Sequence, residues 1–208
     1  MTLPETLLEG YARFRNNRLA AERERFESLA EAGQRPKVMV VGCCDSRAAP
    51  STIFDAGPGE IFVVRNVANM VPPYAPDGDY HGTSAALEFA VMALRVAHIV
   101  VLGHGRCGGI AAALADAGPP LTPGDFIGRW ISLVQPALEA LDPALTGAER
   151  QLALEQANVR GALANLRTFP CVTELETRGK LALHGAHFDI ANGDLMVLDP
   201  ETGAFSST

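Results

Sequence analysis

Between residues 5 and 31 the apolar positions Leu7, Leu8, Tyr11, Phe14, Leu19, Phe26 and Leu29 stand among arginines and glutamates at helical spacing. The stripe predicts an N-terminal helical arm over residues 1–33. Its apolar side needs a surface to cover, either the chain's own body or a partner subunit. From Pro36 onward the pattern changes. Val38 to Val41 is a short β-branched run bounded by Pro36 and Gly42, which reads as a buried strand. Ile61 to Val64 and Ile99 to Leu102 repeat the signal. Thr83 to Ala97 reads as a helix, with Leu87, Val91, Leu94 and Val96 forming its apolar side. A glycine-rich turn after Leu102 leads into a second helix from about Gly109 to Ala117. Residues 125–178 look mostly helical, interrupted at Pro136, Pro143 and Pro170, and Leu181–Leu183 and Leu195–Leu198 are late strand candidates. Strands alternating with helices predict an α/β fold, with a mostly parallel central β-sheet flanked by helices, over a single domain at 34–208. In open sheets of this kind ligands bind beyond the carboxyl ends of the strands.

Composition narrows the partners. The 208 residues carry a net charge of −7, which disfavours nucleic acid and anionic membrane surfaces. A small anionic substrate stays compatible, because one arginine or metal can dominate the field inside a cleft. The N-terminus lacks the charged and apolar regions of a secretory signal, and no apolar run approaches the roughly 20 residues that span a bilayer. The expectation is a cytoplasmic protein, in which the four cysteines stay reduced and are better suited to metal binding or catalysis than to disulfides.

The chemistry is concentrated in two segments, each following a predicted strand. One is Cys43-Cys44-Asp45-Ser46-Arg47, the other His104-Gly105-Arg106-Cys107-Gly108-Gly109. Two thiolates and an imidazole form a three-ligand zinc set that leaves a fourth tetrahedral position for water, so Cys43, His104 and Cys107 are the candidate ligands of one Zn2+ per chain. Cys44 should point away from Cys43, as neighbours at a strand end do. Cys171, in a predicted helical region, reads as a small buried hydrophobe. One alternative competes for the second segment: Gly103 to Gly108 also matches G-x-G-x-x-G, the dinucleotide-binding fingerprint. Against it, the following Gly118–Asp125 stretch is a loop, where that motif requires a strand ending in an acidic residue.

The pair Cys-x-Asp-x-Arg and His-x-x-Cys-Gly-Gly resembles the β-class carbonic anhydrases, in their plant-like subgroup. Gly59–Asn69, Gly82-Thr83, Ala86–Val91 and Leu183-His184-Gly185 extend the resemblance from about Gln34 to Phe188. It implies reversible hydration of carbon dioxide to bicarbonate and a proton, by a homodimer or higher homo-oligomer with the active site at the dimer interface. Asp45 and Arg47 are the implied catalytic dyad. Val67 and Gly108 would line the substrate pocket from one subunit, with Gln34 and Phe62 from the other. Phe89 stands in that pocket where plant-type members have tyrosine, which removes a hydroxyl. Val40 and Phe188 replace the Trp and Tyr of bicarbonate-regulated members, implying a non-regulated enzyme. His81 and His187 are the candidate proton shuttles, while His98 and His184 read as structural. The same fold could instead hydrolyse carbon disulfide or carbonyl sulfide.

Overall fold

The computed structural model describes residues 3–208 apart from 77, 79, 116 and 117. It contains two compact units, Met1–Arg35 and Pro36–Thr208. In the first, α1 (Glu5–Arg13) widens into a π-type turn over Phe14–Arg18 and continues as α2 (Leu19–Ala21). Glu22 leaves helical geometry at φ −108°, and α3 (Arg23–Ala32) follows, ended by Gly33 at φ 72°. The apolar stripe predicts one unbroken helix; the break at Glu22 instead lets Phe14 meet Phe26 edge-on, with ring centroids 5.8 Å apart. Leu7, Leu8 and Tyr11 are exposed.

The second unit is built on a six-stranded sheet of order β2-β1-β3-β4-β5-β6. Its strands are β1 (Val38–Cys43), β2 (Ile61–Asn66), β3 (His98–His104), β4 (Ala182–Phe188), β5 (Leu195–Leu198) and β6 (Phe205–Ser207). The first four run parallel, and β5 and β6 are antiparallel additions. This is the mostly parallel α/β sheet that the pattern predicts. Val38 pairs with Ile61 on one side and His98 on the other, so Cys43 and His104 end adjacent strands at the same sheet edge. Two helices begin around those loops, α4 (Pro50–Ile53) after β1 and α5 (Gly82–Glu88) after β2. α5 runs on in wide turns through Phe89–Leu94 and stops at Arg95, whose left-handed φ of 56° sends the chain into β3. The α6 helix (Gly108–Leu114) follows β3 directly; the predicted end of that helix at Ala117 lies outside the described residues. Residues 125–178 are helical as expected: α7 (Phe126–Ile131), α8 (Gln135–Glu139), α9 (Gly147–Leu166) and α10 (Pro170–Thr177). Pro136 and Pro170 sit in first turns, where a missing N–H leaves no bond unmade.

One sheet face buries Met39, Val41, Ile99 and Val101 against Leu87 and Val91 of the α5 segment and Val159, Ala162 and Leu166 of α9. The opposite face buries Val40, Leu102 and Ala186, with Val38, Val63, Val100 and Phe188 packed at their edges. β4 continues well past Leu183, because His184, Gly185 and His187 interrupt its apolar pattern without interrupting its pairing with β3. Among the described residues no helix is long and apolar enough to cross a membrane.

Candidate metal centre

β1 and β3 deliver Cys43 and His104 at their last positions, and the turn between β3 and α6 delivers Cys107. The ligand atoms of all three lie within 4.8 Å of one another. The residues are 5%, 1% and 1% exposed, so the cluster is shielded from bulk water. Arg106 takes a left-handed φ of 56° inside the turn, which brings His104 and Cys107 round to the same side. Gly109 makes the close approach possible: a Cβ there would stand 2.8 Å from Val67 Cγ1 and 3.0 Å from the Ala68 Cβ.

The donor set fits zinc on the structure's own terms. His104 Nδ1 lies 3.0 Å from the Gly105 carbonyl and donates to it, which leaves the Nε2 lone pair as the free end of the ring. That Nε2 is buried and has no hydrogen-bond partner, a costly state that a metal ion would relieve. Cys43 Sγ accepts backbone N–H groups from Asp45 at 3.4 Å and Ala68 at 3.3 Å. Hydrogen bonding from the Cys107 side chain is the largest influence holding the Cys43 thiol well below its ordinary pKa; the same contact pushes Cys107 up. A dication binding both sulfurs would displace the protons they carry.

Asp45 and Arg47 form a two-pronged ion pair beside the cluster. Arg47 Nε donates to Asp45 Oδ1 at 2.9 Å and Nη2 to Oδ2 at 2.7 Å, while the Arg47 backbone N–H adds a third bond at 3.0 Å. The Arg47 guanidinium, seconded by that N–H, holds the Asp45 carboxyl well below the usual carboxylate range. Arg47 also reaches the Arg106 carbonyl at 3.3 Å, which ties the dyad to the ligand turn.

A cavity of about 670 Å³ opens alongside, lined by Cys44, Val67, His81, Phe126, Ile127 and Trp130 among others. Trp130 is fixed there by an Nε1–H bond to the Val67 carbonyl at 2.8 Å. Cys44 is exposed and outside the ligand cluster, as its position next to Cys43 predicts. Val67 is partly exposed, and a side chain on Gly108 would meet nothing within 4 Å. Phe62 and Phe89 pack at a tilt of 39° with ring centroids 5.9 Å apart, and Phe89 is half exposed. Gln34 belongs to the N-terminal unit and is exposed. Cys171 is half-buried against the core, and burial raises its thiol pKa. His98 and His184 face each other at 3.1 Å on β3 and β4. His187, a candidate proton shuttle, is 1% exposed and lies 3.1 Å from the Glu155 carboxylate. The reading of 103–108 as a dinucleotide loop gives way, since the turn's His104 and Cys107 are buried in the ligand cluster. Sequence reasoning missed Arg65, which donates to the carbonyls of Cys43 (2.7 Å) and Asp45 (2.8 Å), and it missed Trp130 and Glu155. The signal that could have found Glu155 is the row of polar residues Gln151, Glu155 and Asn158 along one face of α9.

A parallel α/β sheet with a Cys-His-Cys cluster at the carboxyl edge of its strands defines a zinc enzyme of the α/β class. Comparison carries this to a family: residues 38–195 match the carbonic anhydrase family model, and the chain belongs to that family, in its β class. A carbonic anhydrase of Pseudomonas aeruginosa is 38% identical over 204 residues, covering 97% of this chain and 90% of the relative. β-Carbonic anhydrase 3 of Arabidopsis thaliana is 38% identical over 207 residues, covering 95% and 78%. Among solved structures, the β-carbonic anhydrase CcaA superposes with a TM-score of 0.90 at 29% identity, covering 98% of this chain and 91% of its own. A structure described among two tetrameric β-carbonic anhydrases of Sordaria macrospora gives a TM-score of 0.79 at 30% identity, covering 97% of each chain.

Proposed function

We propose that this chain is a zinc-dependent carbonate dehydratase, interconverting carbon dioxide and bicarbonate. The observation that carries the reading is the buried convergence of Cys43, His104 and Cys107, with an imidazole nitrogen that has no hydrogen-bond partner. When bound, zinc supplies a Lewis acid that brings the pKa of water to about 7. The chain's own residues do the rest. Arg47 engages both oxygens of Asp45, which keeps that carboxylate off the metal and leaves its spare lone pairs to accept a hydrogen bond from the reacting water and orient it. Val67 and the open backbone at Gly108 give the carbon dioxide an uncharged approach to the site. Phe62 is assigned to the site of a partner subunit, and Phe89 offers no hydroxyl for proton transfer. Gln34 is assigned to the site of a partner subunit, where its amide would bind bicarbonate, in a homodimer or larger assembly. His81, on the cavity wall, is the candidate to hand the proton to solvent. The protein is assigned to the cytoplasm.

The test is stopped-flow hydration of carbon dioxide at about pH 8, with zinc content measured on the same sample. Fast hydration with about one zinc per chain, abolished in Cys107→Ala, is the expected result. Full zinc content without hydration would overturn the substrate and turn attention to carbon disulfide or carbonyl sulfide.

A further inference from the structure

Helix α9 presents polar side chains to the interior at positions 151, 155 and 158, on the face shared by i, i+4 and i+7. Its neighbours Leu154, Val159 and Ala162 are core residues, and Glu155 among them is only 3% exposed. A carboxylate in such surroundings persists only when its oxygens are hydrogen-bonded, and the partners it has found are informative. Glu155 Oε1 accepts the backbone N–H of the ligand Cys107 at 2.9 Å and the Gln151 amide at 3.0 Å. The same Gln151 amide reaches the Cys107 carbonyl at 3.5 Å, so both ends of that residue's backbone are gripped from α9. Glu155 Oε2 lies 3.1 Å from His187 Nε2 on β4, which steadies the carboxylate from behind.

One turn further along, Asn158 Nδ2 donates to the Ala68 carbonyl at 2.7 Å. The N–H of Ala68 is one of the two that point at Cys43 Sγ. Ala68 sits at φ 62°, a left-handed state that a residue with a side chain keeps only when its surroundings impose it. Two separate chains of hydrogen bonds therefore run from one helix face to the two cysteine ligands, although one ends β1 and the other lies in the turn after β3.

We propose that Gln151, Glu155 and Asn158, with His187 behind Glu155, are positioning residues that set both ligand sulfurs for the metal, making α9 a determinant of zinc affinity. The inference rests on the assignment of Cys43, His104 and Cys107 as zinc ligands. Glu155 and His187 fix the height of the Cys107 backbone; Asn158 fixes the amide that orients Cys43. Groups that hold metal ligands from behind typically change affinity about 10- to 100-fold when removed.

The experiment measures zinc affinity of the full-length protein by competition with a chromophoric chelator, in the parent and in Glu155→Ala, Asn158→Ala and Glu155→Gln. Thermal unfolding of the metal-free proteins and the thiolate-to-metal absorption of cobalt(II)-loaded ones are recorded beside it. The expected result is zinc affinity lowered about 10- to 100-fold in both alanine variants, altered cobalt absorption, and substantial recovery in Glu155→Gln. Gln151→Met, which leaves the carboxylate in place, substitutes for Glu155→Ala if that variant fails to fold. Affinity within about twofold of the parent, with only metal-free stability reduced, would overturn the proposal and leave the contacts as stitching between α9 and the loops. A parent that takes up no zinc would overturn the ligand assignment itself.

Discussion

Asp45 gives both of its carboxylate oxygens to a single guanidinium, and that guanidinium is itself anchored on the carbonyl of Arg106 in the ligand turn. The arrangement makes the carboxylate an acceptor of fixed direction. Asp45→Asn is expected to lower kcat/KM by about 100-fold, the scale of one lost orienting hydrogen bond, with zinc content unchanged. Metal analysis beside stopped-flow hydration checks both halves of the statement. A different residue governs acid sensitivity. Burial, and then the charge of His98, lower the pKa of His184 below its ordinary value. The folded chain therefore binds fewer protons than the unfolded chain as the pH drops below about 6.5, and stability falls until the lowered value is passed. His184→Gln should flatten that slope. Urea midpoints for both proteins at about pH 7.5 and about pH 5.5 are the measurement, and equal slopes would refute the assignment.

At the scale of elements, the second glycine of α6 decides how closely the ligand turn can approach the strand-to-loop junction after β2. Gly109→Ala places a methyl 2.8 Å from Val67 Cγ1, and its cost should be about 1–3 kcal/mol in urea unfolding. Leu154→Ala, in the fully buried side of α9, opens a cavity and should cost about 2–5 kcal/mol. Both the strands and the ligands they carry were legible in the sequence. Val38–Val41 and Ile99–Leu102 are apolar runs long enough to signal burial on both faces, and each leads directly to residues of metal-binding type. Helix α4 and strand β6 were not legible, since four and three residues are too few for a period to declare itself. The far half of β4 was hidden for another reason: His187 is a polar residue whose burial depends on Glu155, and that pairing spans 32 residues of chain. The kink at Glu22 likewise follows from the meeting of Phe14 and Phe26, a contact that local spacing does not encode. Asp45 and Arg47 could be read because they are neighbours in sequence; Glu155, Asn158 and Trp130 could not, because what they touch is distant.

The whole catalytic unit is organised so that one sheet edge gathers its chemistry while two different cores lie on the sheet's faces. A buried imidazole nitrogen without a hydrogen-bond partner and two buried sulfurs gathered within 4.8 Å of it mean that the metal-free fold carries a local penalty which binding removes. Chelation of zinc should lower Tm, and stoichiometric zinc should restore it; scanning calorimetry before and after dialysis against a chelator checks this. A Tm indifferent to the metal would mean that the ligands gain nothing from it. The adjacency of β1 and β3 has one more consequence, and it concerns the order of events during synthesis. Cys43 and Cys44 leave the ribosome as bare neighbouring thiols while His104 is still untranslated, and β1 finds its place only when β3 arrives to flank it. Throughout that interval the nascent chain is open to oxidation and to capture of the wrong metal. A substitution that merely slows the closing of β3 onto β1 will therefore be felt in the cell as incomplete metal loading of a protein that, once purified, folds perfectly well.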